Sequence, residues 1–443
     1  MHSVHKFGGT CLDSTEKIIK VIDILSLESK PITAVFSAVA GITDLLVQYC
    51  ESIISQTVIS QTLMKIRQIH LALFSQQMIN EGKFKVIETE LDRLKNILHG
   101  TLLIEEINSN TRNIILSFGE RLSTIMMLQH LLNSTKKVNL LFPELFLILD
   151  NSNLEFDFFE SSNLFNGLPQ EYKDSEILLV PGYYGVTKDR VVKVLERSGT
   201  DYSASFIALL QQAKTLTIWK DVPGFMTANP TIVPQAKIIE FLHYDETIEL
   251  SGFGAKLLHP LAIQPAKQGN FPILIRDINN LSSKTKIHGS INNNYHDYKI
   301  KSVSYLESLT LADLHFYSGF DVSRIQMINN LIHKEKLKIH AYYKSFAKLN
   351  YILDKQISDE NISLLRDYGY QVNITNNISY LCIIGNNLID DISYFNQFTE
   401  ILKDYKEEIK MITIGIHKFS IYILVNDKIA VNLIRSIHSK FIS

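Results

Sequence analysis

The sequence predicts an α/β chain in two parts, a mostly parallel sheet sandwiched by helices followed by two α+β units of βαββ type. Three observations carry this. Short apolar runs alternate with helix-period segments through the first part of the chain, and strand-helix-strand alternation implies parallel strands with helices on both faces. From Asn279 to Tyr298 the composition shifts to Asn, Ser, Lys and His, with Asn292-Asn293-Asn294 at its middle. Beyond it, two rounds of strand and helix signals follow.

In order along the chain, Val4–His5, Ile32–Phe36 and Ile177–Pro181 read as short buried strands, with helices over Thr15–Leu27 and Leu45–Ile54. Residues Leu45 to Leu132 are dense in Leu, Ile, Gln, Glu and Lys with scarcely a Gly or Pro, which predicts several long helices. A further helix is expected over Tyr202–Gln212 and a strand ending at Trp219. The expected division is a first domain over 1–285, a linker over 286–298, and two units over about 303–375 and 376–443 that could interleave within 299–443. The first unit has strands Leu309–Phe316, Leu337–Tyr342 and Leu349–Leu353 with helices Ser323–His333 and Asn361–Tyr368. The second has strands Ile378–Ile384, Met411–Ile416 and Phe419–Val425 with helices Leu388–Tyr405 and Ile429–Phe441.

A chain of 443 residues exceeds what one hydrophobic core supports, so more than one domain is expected. Lys plus Arg number 44 against 46 Asp plus Glu, which leaves no basic field to hold nucleic acid. Small polar ligands are the expected partners. Cys11, Cys50 and Cys382 show no Cys-x-x-Cys spacing and there is no histidine cluster at zinc intervals, which suits a reducing cytosol and predicts no protein metal site. Cys11 follows a glycine turn, where a helix start lowers a thiol pKa, but it reads as a small buried residue and is assigned no chemistry. The strongest apolar run, Leu140 to Leu149, is interrupted by Pro143 and Glu144, so neither a membrane span nor a secretory leader is expected.

The chemistry begins at Val4-His5-Lys6-Phe7-Gly8-Gly9-Thr10. Two adjacent glycines let backbone amides approach an anion, the following helix adds its positive end, and Lys6 supplies a point charge for phosphate. Alone, the pattern also fits an ordinary strand-to-helix turn. It is followed by Phe36-Ser37-Ala38-Val39-Ala40-Gly41-Ile42-Thr43 and Ser117-Phe118-Gly119-Glu120-Arg121-Leu122-Ser123, then by Leu195 through Tyr202, Trp219 through Gly224 and Gly252 through Pro260.

These blocks, in this order and at these spacings, resemble the aspartokinases, and the resemblance covers nearly the whole chain. It implies an amino-acid-kinase-type fold followed by two ACT-like (ferredoxin-like) regulatory units, which bind amino-acid effectors and pair between subunits into a homodimer or larger homo-oligomer. It implies transfer of the ATP γ-phosphoryl group to the β-carboxylate of L-aspartate, opening lysine, threonine and methionine (diaminopimelate) biosynthesis. ATP and Mg²⁺ are the implied cofactors, the cation being carried largely by the phosphates. Catalysis is assigned by resemblance to Lys6, Asp201 and Lys256, with Asp201 orienting the two lysines. ATP contacts are assigned to Lys6, Gly8, Gly9, Lys220, Asp221, Gly224, Met226, Thr231, Lys256 and Leu257. Aspartate contacts are assigned to Ser37, Thr43, Glu120, Arg197 and Thr200.

Physical chemistry is compatible with these roles. A carboxylate nucleophile is ionised at neutral pH, with a reference pKa of about 3.9, so no general base is needed and positioning plus charge neutralisation must do the catalysis. A guanidinium fork suits an α-carboxylate and a carboxylate suits an ammonium group, so Arg197 and Glu120 together would specify an α-amino acid. On residue type alone, Asp201 is equally a helix N-cap, Glu120 a solvated helix residue, and Ser37 and Thr43 turn and cap residues.

The chain departs from the family pattern at Glu196 and Ser198, where glycines are usual, and at Met226, Asn229 and Thr231, where tyrosine, aspartate and arginine are usual. Lys338 and His340 stand where lysine-inhibited members tend to have serine and aspartate, which predicts weak lysine feedback. No dinucleotide fingerprint follows the second half, so a monofunctional protein is expected, and Gly-x-x-x-x-Gly-Lys is absent. The rival readings are another kinase of the same fold and a non-catalytic amino-acid sensor.

Overall fold

The computed structural model describes residues 2–132, 137–195, 199–253, 257–289, 300–316, 319, 321–385, 388, 392–414 and 419–442. The chain divides into two units, Met1–Phe225 with Ile238–Ile248 and Lys256–Ile291, and Met226–Lys237 with Glu249–Ala255 and Asn292–Ser443.

The first unit is built on an eight-stranded sheet in the order Val138–Leu140, Ile177–Pro181, Ile32–Phe36, Ser3–Phe7, Leu216–Lys220, Ile273–Asp277, Lys284–Ile287, Phe241–Leu242. All neighbours are parallel except Ile273–Asp277 with Lys284–Ile287. The central strands Ile32–Phe36 and Ile177–Pro181 are buried at every position, as in parallel sheets covered by helices on both faces. The helix Thr15–Leu27 begins where the Ser14 side chain accepts from the Lys17 amide, and it buries Ile18, Val21, Ile24 and Leu25 along one stripe. Five helices span the Gly-poor stretch: Ile42–Glu51, Gln56–Leu71, Gln76–Asn80, Lys85–Ile104 and Ser109–Leu131.

Strand register matters for the site. Phe7 lies opposite both Phe36 and Trp219, and Phe36 lies opposite Pro181, so four adjacent strands end level with one another. The residues that follow, Gly8-Gly9, Ser37-Ala38, Gly182-Tyr183 and Lys220, are thereby delivered to one edge of the sheet, beyond the strands' carboxyl ends where open α/β sheets bind ligands.

The second unit is a six-stranded sheet in the order Ile339–Lys344, Lys348–Leu353, Ile300–His315, Gln371–Gly385, Ser420–Asn426, Ile409–Ile414. Its two long central strands pair antiparallel over nearly their whole length. They shift register between Leu306 and Leu311, where Ser308 (φ 58°) and Asn377 (φ 57°) take the left-handed conformation. On one side of this seam the core gathers Ala312, Leu314, Ile328, Leu349 and Leu365, and on the other Val303, Leu381, Phe398, Ile423 and Leu433. Each half therefore borrows a central strand from each round of the sequence pattern, and the expected division at 375/376 falls inside one continuous strand.

Two boundaries differ from expectation for the same reason. Lys284–Ile287 alternates exposed lysines with buried Thr285 and Ile287, so a paired sheet strand resembles a polar linker and the first domain extends past residue 285. Residues 290–298 of the expected linker lie outside the described residues. The central strand begins at Ile300 rather than Leu309 because Lys301, Ser302 and Ser304 obscure its apolar positions.

Candidate active site

Lys6 sits one residue before the end of the central strand, with its side chain buried and its Nζ 2.8 Å from Asp201 Oδ1. Asp201 lies in the first turn of the helix Gly199–Leu210, buried from Gly199 to Leu209, and is inside the helix rather than its N-cap. The second lysine on this carboxylate is Lys220, the last residue of its strand, whose Nζ is 3.4 Å from Asp201 Oδ2. The expected pairing of Asp201 with Lys6 is met and Lys220 joins it, while the expected pairing with Lys256 falls on a residue outside those described.

Burial alone would push the Asp201 carboxyl up, but the Lys220 and Lys6 ammonium groups outweigh it and hold it below the usual carboxylate range. Burial also lowers the Lys220 amine, with Asp201 opposing and Lys6 adding to the fall. Two cations share one anion in a site with little water, which leaves an excess positive charge suited to a phosphate.

The glycine pair behaves differently at its two positions. The Gly8 amide donates to Trp219 O at 3.2 Å, so it is committed to the sheet and not offered to an anion as expected. Gly9 packs so closely that a Cβ there would lie 2.4 Å from Ala38 O, which no side chain tolerates. A Cβ at Gly8 would stand 3.8 Å from Lys6 Nζ, so the lysine head lies over the turn. Cys11 donates its Sγ–H to Trp219 O, and burial pushes its thiol up to about 11, which leaves it an inert packing group.

Beside the lysines stands Glu120, buried mid-way along the helix Ser109–Leu131. The helix approaches the Ser37–Thr43 segment at Gly119, where a Cβ would lie 2.8 Å from Ala38 Cβ and 3.7 Å from Thr43 Oγ1. Ser123 Oγ donates to Ser37 O at 2.7 Å across the same contact, and the Ser37 amide donates to Phe7 O at 3.1 Å. Burial pushes the Glu120 carboxyl up to about 8, against the opposing pull of the Ala38 amide, its own amide, the Lys6 ammonium and the Thr200 hydroxyl. Its Oε2 is sealed from water without a hydrogen-bond partner among the described residues. A buried carboxylate oxygen lacking a donor is a site for one.

The structure therefore brings together Lys6, Gly8, Gly9, Ser37, Thr43, Glu120, Thr200, Asp201 and Lys220. Asp221 is exposed just beyond Lys220, while Gly224 is buried beside Thr285, whose Oγ1 accepts from the Phe225 amide at 3.0 Å. Leu257 is half-buried, and Arg197, like Glu196 and Ser198, lies outside the described residues. Met226 and Thr231 belong to the second unit, where Met226 O accepts from Ser302 Oγ and the exposed Thr231 bonds Asn229. Sequence reasoning missed Tyr183, whose hydroxyl is pushed up to about 12 by burial and then by the nearby Glu120 charge. Its one available signal is its place, two residues past a strand that ends with the others. Among the described residues no group of three His, Cys, Asp or Glu could hold a metal ion, and Asp201 is occupied by lysines. Nor is any helix among them long and apolar enough to cross a membrane.

A family model described as the amino acid kinase family matches residues 1–277. The chain is 30% identical over 318 residues to the aspartokinase of Chlamydia muridarum, covering 71% of this chain and 70% of that one. The chain belongs to the aspartokinase family. It is also 29% identical to the bifunctional aspartokinase/homoserine dehydrogenase of Buchnera aphidicola, covering 98% of this chain but only 56% of that protein, so it spans little more than half of that relative. Crystal structures of E. coli aspartokinase III, one with aspartate and ADP and one with lysine and aspartate, share the fold at TM-scores of 0.80 and 0.82 and 22% identity, over 100% of this chain. The architecture is accordingly an amino-acid-kinase fold followed by two interleaved ACT-like units.

Proposed function

We propose that this chain is an aspartate kinase, transferring the γ-phosphoryl group of ATP to the β-carboxylate of L-aspartate to give 4-phospho-L-aspartate and ADP. The observation that carries the reading is the Lys6–Asp201–Lys220 cluster beside the buried Glu120 carboxyl, whose Oε2 has no hydrogen-bond partner among the described residues. One excess cation meets the nucleotide phosphates, and Glu120 meets the α-ammonium group of the amino acid.

The aspartate β-carboxylate is already ionised, so a carboxylate oxygen attacks the γ-phosphorus directly while the bond to the bridging oxygen breaks and ADP leaves. Lys6 and Lys220 stabilise charge as it moves toward the leaving phosphate, and Asp201 holds both ammonium groups in place before substrate arrives. Arg197 is assigned to the α-carboxylate, and Lys256, Asp221, Gly224, Met226, Thr231 and Leu257 to the nucleotide, by the motifs they occupy. Mg²⁺ would be carried by the nucleotide phosphates, since the described residues offer no acidic cluster for it. The ACT-like units are assigned an amino-acid effector and subunit pairing.

The test is ATP-dependent trapping of the acyl phosphate with hydroxylamine, supplied in turn with aspartate and glutamate. Hydroxamate with aspartate alone supports the reading. Turnover with glutamate alone, or none with either, rejects it.

A further inference from the structure

Among the buried charges that the mechanism above leaves unused is Arg121. Arg121 follows Glu120 on the same helix, and successive helical residues point roughly 100° apart, so it faces away from the aspartate pocket. It is buried, and its Nε and Nη1 are both bonded. Nε donates to Glu90 Oε1 at 2.7 Å and Nη1 to Glu144 Oε1 at 2.6 Å, with the Tyr184 hydroxyl 3.4 Å from Nη1. The guanidinium also stands 4.3 Å from the centre of the Phe142 ring and 5.6 Å from that of Phe118. Tyr184 completes a closed loop by donating to Glu144 Oε2 at 3.2 Å.

These partners come from separate elements. Glu90 lies on the helix Lys85–Ile104, Glu144 on the short turn Pro143–Leu145, and Tyr184 opens the strand Tyr184–Thr187 directly after Tyr183, whose hydroxyl feels the Glu120 charge. One side chain therefore ties the helix that carries Glu120 to the strand that directly follows Tyr183, a residue close enough to Glu120 to feel its charge. Planar, bidentate-capable guanidinium chemistry suits this, and a lysine could not reproduce it.

We propose that Arg121 is a positioning residue for the amino-acid subsite: its clamp on Glu90, Glu144 and Tyr184 sets the separation of Glu120 and Tyr183, and so governs affinity for the α-amino acid without touching it. The proposal rests on the assignment of Glu120 to the substrate ammonium group.

The test compares dissociation constants for L-aspartate and for ADP by titration calorimetry on the full chain, which requires no turnover. Arg121→Met is expected to weaken aspartate binding about tenfold, equivalent to about 1.4 kcal/mol, while ADP binding stays within about twofold, and Arg121→Lys should recover little of the loss. Should Arg121→Met not fold, the pair Glu144→Leu with Tyr184→Phe removes the Nη1 partners and keeps Glu90, with the same selective loss expected. Unchanged aspartate affinity in a folded variant overturns the proposal, as does equal weakening of both ligands. Wild-type protein that fails to bind aspartate overturns the assignment of Glu120 and this proposal with it, whereas failure confined to the variants overturns the clamp alone.

Discussion

Lowering the pH from about 9 to about 7 removes the charge that a substrate ammonium group needs at Glu120. With its carboxyl pushed up to about 8 by burial, only about one molecule in eleven carries ionised Glu120 at about pH 7, against about nine in ten at about pH 9. Ionisation must precede pairing, so each pH unit below about 8 costs about 1.4 kcal/mol and raises the apparent KM for aspartate about tenfold. KM for ATP, which does not depend on this group, should stay flat. Binding of aspartate at about pH 7 should also release close to one proton, seen as a dependence of calorimetric binding heat on the ionisation enthalpy of the buffer. Glu120→Gln should bind aspartate weakly and lose both effects. For the unliganded protein the sign is opposite in use: because the folded carboxyl holds its proton more tightly than the unfolded one, this group's contribution to stability is full below the ordinary carboxylate pKa and is lost as pH rises toward about 8. A pH-independent KM for aspartate together with proton-neutral binding would refute the assignment.

Other outcomes follow from the same geometry. Asp201→Asn leaves two ammonium groups facing each other in a buried site, and urea unfolding should report a loss of about 3 to 5 kcal/mol; unaltered stability would show that the lysines find other partners. Lysine should inhibit weakly, because Lys338 stands at a position that the family resemblance matches to an effector ammonium site, while burial and Lys338 hold the His340 imidazole below its usual pKa; inhibition at micromolar lysine would contradict this.

The parts of the fold legible in the sequence are those whose side chains see only their own element and a covered sheet. Ile32–Phe36 and Ile177–Pro181 are fully buried five-residue strands whose apolar runs mark both ends, and Thr15–Leu27 carries its own cap and stripe. Lys284–Ile287 and the start of Ile300–His315 were not legible, since polar side chains interrupt their apolar positions and their pairing is supplied by distant strands. At the site, motif order pointed to Lys6, Glu120 and Asp201, but their partners are matters of three-dimensional proximity. Nothing in the residue string says that Lys220 reaches Asp201, that the Gly8 amide is used by Trp219, or that Arg121 faces Tyr184. Met226 and Thr231 illustrate the converse, being close in sequence to Lys220 yet built into the second unit by Ser302 and the core around Ile232 and Val233.

The most direct test of the central claim is the single-turnover rate of phosphoryl transfer to aspartate in wild-type protein and Lys6→Ala, both saturated with ATP. Removing the cation that shares Asp201 with Lys220 should slow the step by two to three decades, about 3 to 4 kcal/mol, with the variant still folded. A Lys6→Ala protein that transfers phosphate at the wild-type rate would contradict the account.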